Sequence, residues 1–361
     1  MTAKMTAVAF EEPGGPEVLK VVERERPVPG PAEILVRVHA AGVNPVDWKT
    51  RAAGALYLPG DGVVGWDVSG VVEAVGLGVT LFRPGDEVYG MPGFPRMVGG
   101  YAEYVAAPAR HFAPKPAGLD HVHAAALPLA ALTAWQALVD MAALEEGQRV
   151  LVHAAAGGVG HLAVQIAKAY GAYVIGTAGA GKHGFVRGLG ADEMIDYTAV
   201  DFASVVSDVD VVIDPIAGDY QERSLSVLRD GGTLITLSAR QTEALTSAAA
   251  ARSIRSGFML VEPDRRALLA ITELAATGRL KAHVDAVFPL ADAARAHALG
   301  ETGRTMGKLV LTVDPLDPLD PHSSSSPLDP HSPLDSSSPL DPGRPLAPRG
   351  PLDPRPSRPA R

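Results

Sequence analysis

The chain has 361 residues, 47% hydrophobic and 20% charged, which is enough to bury the cores of two domains. Its formal net charge of -9, with basic residues scattered rather than clustered, disfavours nucleic acid and anionic membrane surfaces as partners. The absence of cysteine excludes disulfides, thiol catalysis, iron–sulfur clusters and thiolate zinc sites.

The N-terminal stretch Met1-Thr2-Ala3-Lys4-Met5-Thr6-Ala7-Val8 lacks the apolar core of a signal peptide. No later stretch reaches about 18 uninterrupted apolar residues, so a cytoplasmic location is expected. Up to about residue 125, Pro/Gly turns separate short strands at 18–22, 34–40, 68–75, 87–89 and 102–106, the pattern of a small antiparallel barrel. Asp120, His121 and His123 do not spell a metal site. Residues two apart on a helix face different ways, and Asp120 suits an N-cap. From Arg149 strands and helices alternate. The strand Arg149-Val150-Leu151-Val152-His153 leads into a helix over 159–170, with Val159, Leu162, Ala163, Ile166, Ala167 and Tyr170 on one face and Gly171 as its stop. Further strands are predicted at 173–176, 194–195, 209–213, 233–237 and 258–261, which implies an α/β domain with a parallel sheet covered on both faces. After Val313 the composition collapses into Pro, Leu, Asp, Ser and a few Arg, with Pro-Leu-Asp-Pro recurring at Pro315, Pro327 and Pro351. Such a tail has too little apolar surface to fold and is expected to be disordered; a proline-rich docking segment is the alternative.

The most informative stretch is His153-Ala154-Ala155-Ala156-Gly157-Gly158-Val159-Gly160, between a buried strand and a helix. Ala155, Gly157 and Gly160 give A-x-G-x-x-G. Gly157 lets backbone approach a pyrophosphate, Gly160 lets helix and strand pack, and the helix N-terminus favours the anion. The predicted cofactor contacts are Ala156, Gly157, Gly158, Val159 and Gly160. NAD enzymes place an acid about 20 residues further on. Here the chain reads Gly176-Thr177-Ala178-Gly179-Ala180-Gly181-Lys182, with no acid and a cation where a 2'-phosphate would sit, so NADPH is expected, with Thr177 and Lys182 among its contacts. The same stretch fits G-x-x-x-x-G-K, but His183 stands where a P-loop needs the Ser or Thr that holds Mg²⁺. No Gly-x-Ser-x-Gly elbow supports a hydrolase. His153, at a strand end, suits packing or hydrogen bonding better than acid catalysis.

With this loop stand Gly42-Val43-Asn44-Pro45-Val46-Asp47, Gly65-Trp66-Asp67-Val68-Ser69-Gly70, Arg83-Pro84-Gly85-Asp86-Glu87-Val88, Leu127-Pro128-Leu129-Ala130-Ala131-Leu132-Thr133-Ala134-Trp135 and Met306-Gly307-Lys308-Leu309-Val310-Leu311. Together they resemble the zinc-free quinone oxidoreductases (zeta-crystallin type) of the medium-chain dehydrogenase/reductase superfamily, over roughly residues 5–313. The resemblance implies a GroES-like β-barrel-type catalytic domain at 1–126, a Rossmann NADPH-binding domain with a doubly wound parallel sheet at 127–263, a return to the catalytic domain at 264–314 and a tail at 315–361. It implies hydride transfer to a quinone or an α,β-unsaturated carbonyl without flavin, and a homodimer through the far edge of the Rossmann sheet. Zinc-dependent members have Cys where Asn44 stands and His-Glu where Trp66-Asp67 stands, so no metal is expected. By the same resemblance Asn44 and Thr133 lie beside the nicotinamide, with Asn44 also a candidate catalytic residue, and Tyr57 lines the substrate cleft, as hydrogen-bond donor or as wall. Gly218 belongs to a second glycine loop, Asp214-Pro215-Ile216-Ala217-Gly218-Asp219, whose first glycine is here Ala217. Tyr197 stacks near the 2'-phosphate or merely caps its strand, and Arg187 is a possible further phosphate contact. An NADPH-binding structural or sensor protein of the same fold is the alternative function.

Overall fold

The protein is described here by a computed structural model covering residues 3–53, 62–238 and 240–313. A hairpin of β1 (Lys4–Ala9) and β2 (Lys20–Glu25) precedes the long strand β3 (Glu33–Val43) and helix α1 (Pro45–Ala53). Strands β4 (Asp67–Val75), β5 (Glu87–Gly90), β6 (Tyr104–Pro108) and β7 (Phe112–Pro114) complete the N-terminal part, followed by α2 (His121–Ala125) and α3 (Pro128–Trp135). The second part runs β8 (Arg149–Val152), α4 (Gly160–Ala169), β9 (Tyr173–Ala178), α5 (His183–Gly188), β10 (Glu193–Asp196), β11 (Val209–Asp214), α6 (Asp219–Val227), β12 (Leu228–Thr236), α7 (Glu243–Ala251) and β13 (Arg255–Phe258). Then come α8 (Arg265–Ala276), β14 (Val284–Pro289), α9 (Ala293–Glu301) and β15 (Lys308–Thr312).

The N-terminal strands were expected to form an antiparallel barrel. Instead, the described residues form an open sheet of order β14-β15-β3-β4-β5-β7, with β6 also on β3 and with β14 and β15 parallel to each other. The reason lies in β3, whose near-continuous apolar run suits a strand covered on both faces. Its first half pairs with β6 and its last residues, Ala40 to Val43, pair with β15, so the returning chain end continues that side of the strand.

The second sheet is parallel, in the order β10-β9-β8-β11-β12-β13. This is the doubly wound arrangement, and its direction reverses between β8 and β11. Ligands of such sheets bind outside the carboxyl ends of the strands at that reversal, which here means the loops after Val152 and Asp214. The strand predicted at 258–261 lies three residues earlier, at Arg255–Phe258, beside Thr233 to Thr236. The apolar signal came from Met259, Leu260 and Val261, which follow the strand; Ser256 and Gly257, within it, are poor strand formers.

Helix α3 is buried along its whole length, and one apolar core runs from Trp66 and Leu132 through Leu162 to Leu268 and Leu311. The two parts are therefore packed through a shared core. No helix among the described residues is long and apolar enough to cross a membrane.

Candidate active site at the domain junction

The glycine loop has the shape that its sequence predicts. A Cβ at Gly160 would lie 2.3 Å from the carbonyl oxygen of Ala154, so this position packs helix α4 onto the loop and admits no side chain. Gly157 is less confined, its nearest neighbour being the same oxygen at 3.2 Å. The loop is tied from beneath by Ala155 N donating to Thr177 O at 2.9 Å and His153 N to Ile213 O at 3.1 Å. His161 pins it from the helix. Its Nε2 accepts from His283 N at 3.2 Å, which leaves Nδ1 to donate to Gly157 O at 2.9 Å. Burial pushes the His161 imidazole down to about 4, so it is neutral in this role.

Thr177 is buried, its hydroxyl facing His153 Nδ1 at 3.2 Å, while His153 Nε2 faces Ser224 Oγ at 3.0 Å. Both residues support the loop from below, and burial holds His153 down to about 3. Lys182 follows β9 and donates to the carbonyls of Arg304 at 2.7 Å and Thr305 at 3.1 Å. An ammonium has three donors, so one remains for an anion. Tyr197, half exposed, follows the neighbouring strand β10.

The second loop is organised by Asp214. Its Oδ1 accepts from Ile216 N at 2.8 Å and Ala217 N at 3.0 Å, while Oδ2 is buried without a partner. Burial raises this carboxyl's pKa. Ala217 and Gly218 both adopt left-handed backbone, φ 71° and 67°, so Ala217 keeps the loop shape of a glycine at a cost of roughly 1 kcal/mol.

Across from these loops is a polar centre in the catalytic part. Asp67, fully buried on β4, accepts from Leu129 N at 2.6 Å through Oδ1 and from Asn44 Nδ2 at 2.8 Å through Oδ2. The first bond caps the helix that carries Thr133. The second holds Asn44. One carboxylate thus anchors both residues assigned to the nicotinamide side. Thr133 Oγ1 donates to Leu129 O at 2.6 Å, which leaves its lone pairs free to accept from an amide. Lys308, at the start of β15, donates to Val43 O at 3.0 Å and to Asn44 Oδ1, and lies 3.3 Å from Asp67 Oδ2.

Beneath it runs a second chain of bonds. Asp47 Oδ2 accepts from Asn44 N at 2.6 Å and from the Tyr101 hydroxyl at 2.9 Å. His297 Nε2 lies 3.1 Å from that hydroxyl and its Nδ1 lies 3.4 Å from the Arg51 guanidinium, which also holds Glu301 at 2.5 Å. This strap fastens α1 to α9. Burial raises Asp47 to about 7 and lowers His297 to about 3.

Sequence reasoning gave Asp47, Asp67 and Lys308 no chemical role, and it passed over Arg51, Tyr101 and His297. The available signal was a charge opening an apolar run, as in Lys308-Leu309-Val310-Leu311. Lys182 and Tyr197 belong to the β9–β10 end, away from Asn44 and Thr133 in the chain's architecture. Tyr57 lies outside the described residues. Asp120 caps α2 by accepting from His123 N at 2.8 Å; His123 turns to Asp120, and His121 turns to Ser69 Oγ at 2.8 Å.

The loops fit a dinucleotide: a half-buried glycine-rich turn opens a ten-residue helix at the sheet reversal. They do not extend that fit to zinc. Trp66 Nε1 can only donate and is bonded to Arg96 O at 2.7 Å, while Asn44 and Asp67 are engaged by Lys308.

Residues 30–117 match the alcohol dehydrogenase GroES-like domain family, and residues 189–311 match the zinc-binding dehydrogenase family. The quinone oxidoreductase of Sus scrofa is 33% identical over 329 residues, covering 85% of this chain and 97% of the relative. The 2-methylene-furan-3-one reductase of Solanum lycopersicum is 35% identical over 324 residues, covering 86% and 79%. The structure of Escherichia coli quinone oxidoreductase complexed with NADPH superposes with a TM-score of 0.77 at 30% identity, covering 85% of this chain and all of that one. These likenesses span both parts of the fold, and the chain belongs to the medium-chain dehydrogenase/reductase superfamily as an oxidoreductase of the quinone oxidoreductase-like type.

Proposed function

We propose that the chain is an NADPH-dependent reductase of quinones or α,β-unsaturated carbonyls that works without metal or flavin. The observation that carries this reading is Asp67, which holds Asn44 directly and caps the helix that bears Thr133, while Asn44 and a Trp66 bonded to Arg96 O stand at the positions of the metal ligands. Bound NADPH supplies the hydride from its nicotinamide.

The chain's own residues bind and orient. Ala156, Gly157, Gly158, Val159 and Gly160 offer backbone and a helix N-terminus to the pyrophosphate. Lys182, with Tyr197 and Arg187 near it in sequence order, takes the 2'-phosphate, and Thr177 supports the loop. Asn44, Thr133 and Gly218 hold the nicotinamide end. Without a Lewis acid the acceptor has to be electrophilic already, which favours quinones and enones over alcohol chemistry. Tyr57 stabilises the oxygen that gains charge, by donating its phenolic proton in a hydrogen bond. In this reading the division is 1–126, 127–263, 264–314 and a tail from 315. A homodimer forms along β13, which lies at the edge of its sheet.

The test is NADPH oxidation, followed at the nicotinamide absorbance, with a panel of quinones and enones. Turnover with either class is expected. Tight NADPH binding with no turnover on the whole panel would favour a structural or sensor protein instead.

A further inference from the structure

We propose that the Lys308 ammonium is a tethered cation that takes the place of a metal in the polar centre: it fixes the Asn44 amide in one orientation and closes the centre to free cations. Lys308 is a positioning residue in this account.

Three acceptors surround its Nζ: Val43 O at 3.0 Å, Asn44 Oδ1, and Asp67 Oδ2 at 3.3 Å. An ammonium has three donors, so the set is saturated. Lys308, Asn44 and Asp67 are 3%, 2% and 0% exposed, and at this depth a charge is stable only when paired and hydrogen-bonded. The strand register places it there, since Leu309 pairs with Val43 across β15 and β3.

One of these three partners, Asn44, stands where zinc-dependent members carry a metal ligand, and Asp67 directly follows Trp66, which replaces another. In those proteins a free cation gathers the ligands; here a side chain brings its own. The consequence for Asn44 is specific. Its Oδ1 faces the ammonium and its Nδ2 donates to Asp67 at 2.8 Å, so a flipped amide would set NH₂ against a cation and oxygen against a carboxylate. With a neutral residue at 308 the first of those penalties vanishes. The lysine is joined to the other half of the site as well. Gly307 N donates to Ala156 O at 2.9 Å, and a Cβ on Gly158 would lie 3.4 Å from Lys308 Cδ.

The test uses Lys308→Ala and Lys308→Met in the full chain, with methylammonium chloride against sodium chloride at equal ionic strength. Methylammonium is expected to raise the melting temperature of Lys308→Ala while leaving the wild type and Lys308→Met unmoved, because only the alanine variant has room for the amine. The same salt is expected to restore kcat of Lys308→Ala roughly tenfold with little change in KM. An equal response from all three proteins, or a Lys308→Met enzyme with the stability and turnover of wild type, would overturn the proposal. The kcat arm rests on the reductase reading; the melting arm does not, so an inactive wild type would sink that reading and leave this one to be decided by melting. If neither variant folds, ¹⁵N-lysine NMR of the wild type decides. A slowly exchanging Lys308 ammonium with a contact to the Asn44 amide supports the tethered cation, and one that exchanges like a surface lysine refutes it.

Discussion

The glycine loop and the polar centre are joined by the bond from Gly307 N to Ala156 O, yet they are built in opposite ways. The loop is made of backbone: a few consecutive residues with small or absent side chains form a turn that opens a helix, tied by main-chain bonds such as Gly157 N to Ala154 O at 2.8 Å. The centre is made of side chains drawn from positions 44, 47, 67, 101, 297 and 308, linked to one another by hydrogen bonds, with Asp47 Oδ1 buried without a partner. Backbone recognition tolerates substitution wherever geometry survives, as Ala217 shows at φ 71°. A buried side-chain network does not tolerate it, because each missing partner leaves a charge or donor stranded.

The largest effect should come from breaking the centre by one charge. Lys308→Met leaves the Asp67 carboxylate buried without its cation, and is expected to cost about 3 to 5 kcal/mol of unfolding free energy. Adding Asp67→Asn should recover a large part of that loss, since the stranded charge goes with it. Urea denaturation of the two singles and the double variant measures the coupling. Additive losses would mean that the pair is not a unit.

A smaller and more selective effect is expected on the loop side. Lys182→Ala should weaken NADPH by roughly ten- to a hundredfold, the worth of one charge-assisted hydrogen bond, with NADH hardly changed. In the wild type Lys182 already holds the carbonyls of Arg304 and Thr305, so its loss could act through those contacts instead. Equal losses for both cofactors, by calorimetry, would mean that the lysine only fastens residues 304 and 305.

This contrast also explains what could be read from the sequence. The glycine loop, the strands β8, β9 and β11 and the helix after the loop were legible, because spacing and periodicity are local properties. The residue chemistry of the matching blocks was legible only as resemblance. Asp67 is one acid in an apolar run, and nothing local says that it caps α3, holds Asn44 and meets a lysine 241 residues later. The place of β15 in the catalytic sheet was hidden for the same reason: its partner β3 lies at the other end of the chain. The location of β13 escaped because register with β12, not apolar content, decides it.

The third effect is a pH dependence. The Asp47 carboxyl is raised from 3.8 to about 7 in the fold, so the native state holds a proton that the unfolded chain releases. Its stabilisation is complete below 3.8 and is lost as pH rises through about 7. Asp47→Asn keeps an oxygen for Asn44 N and Tyr101 and removes this titration, so its stability relative to wild type should climb across that interval. The buried imidazoles run the other way. His153, His161 and His297 are lowered from 6.5 to about 3, 4 and 3, so their contribution is full above 6.5 and is lost as pH falls through those values. Chemical denaturation at a series of pH values separates the two slopes. A constant difference between Asp47→Asn and wild type would contradict the assignment.

The smallest effect is expected far from both regions. Deletion after Pro315 should leave melting temperature and turnover unchanged, since those residues lack the apolar content to join a core. A large fall in melting temperature would show that the tail is part of the fold.

The central claim is reduction without a metal, and it is tested most directly by elemental analysis of the turning-over enzyme before and after exhaustive chelation. The account predicts zinc far below one per chain and a rate of NADPH oxidation that chelation does not change. One zinc per chain, with activity that falls on chelation and returns when zinc is added, would contradict it.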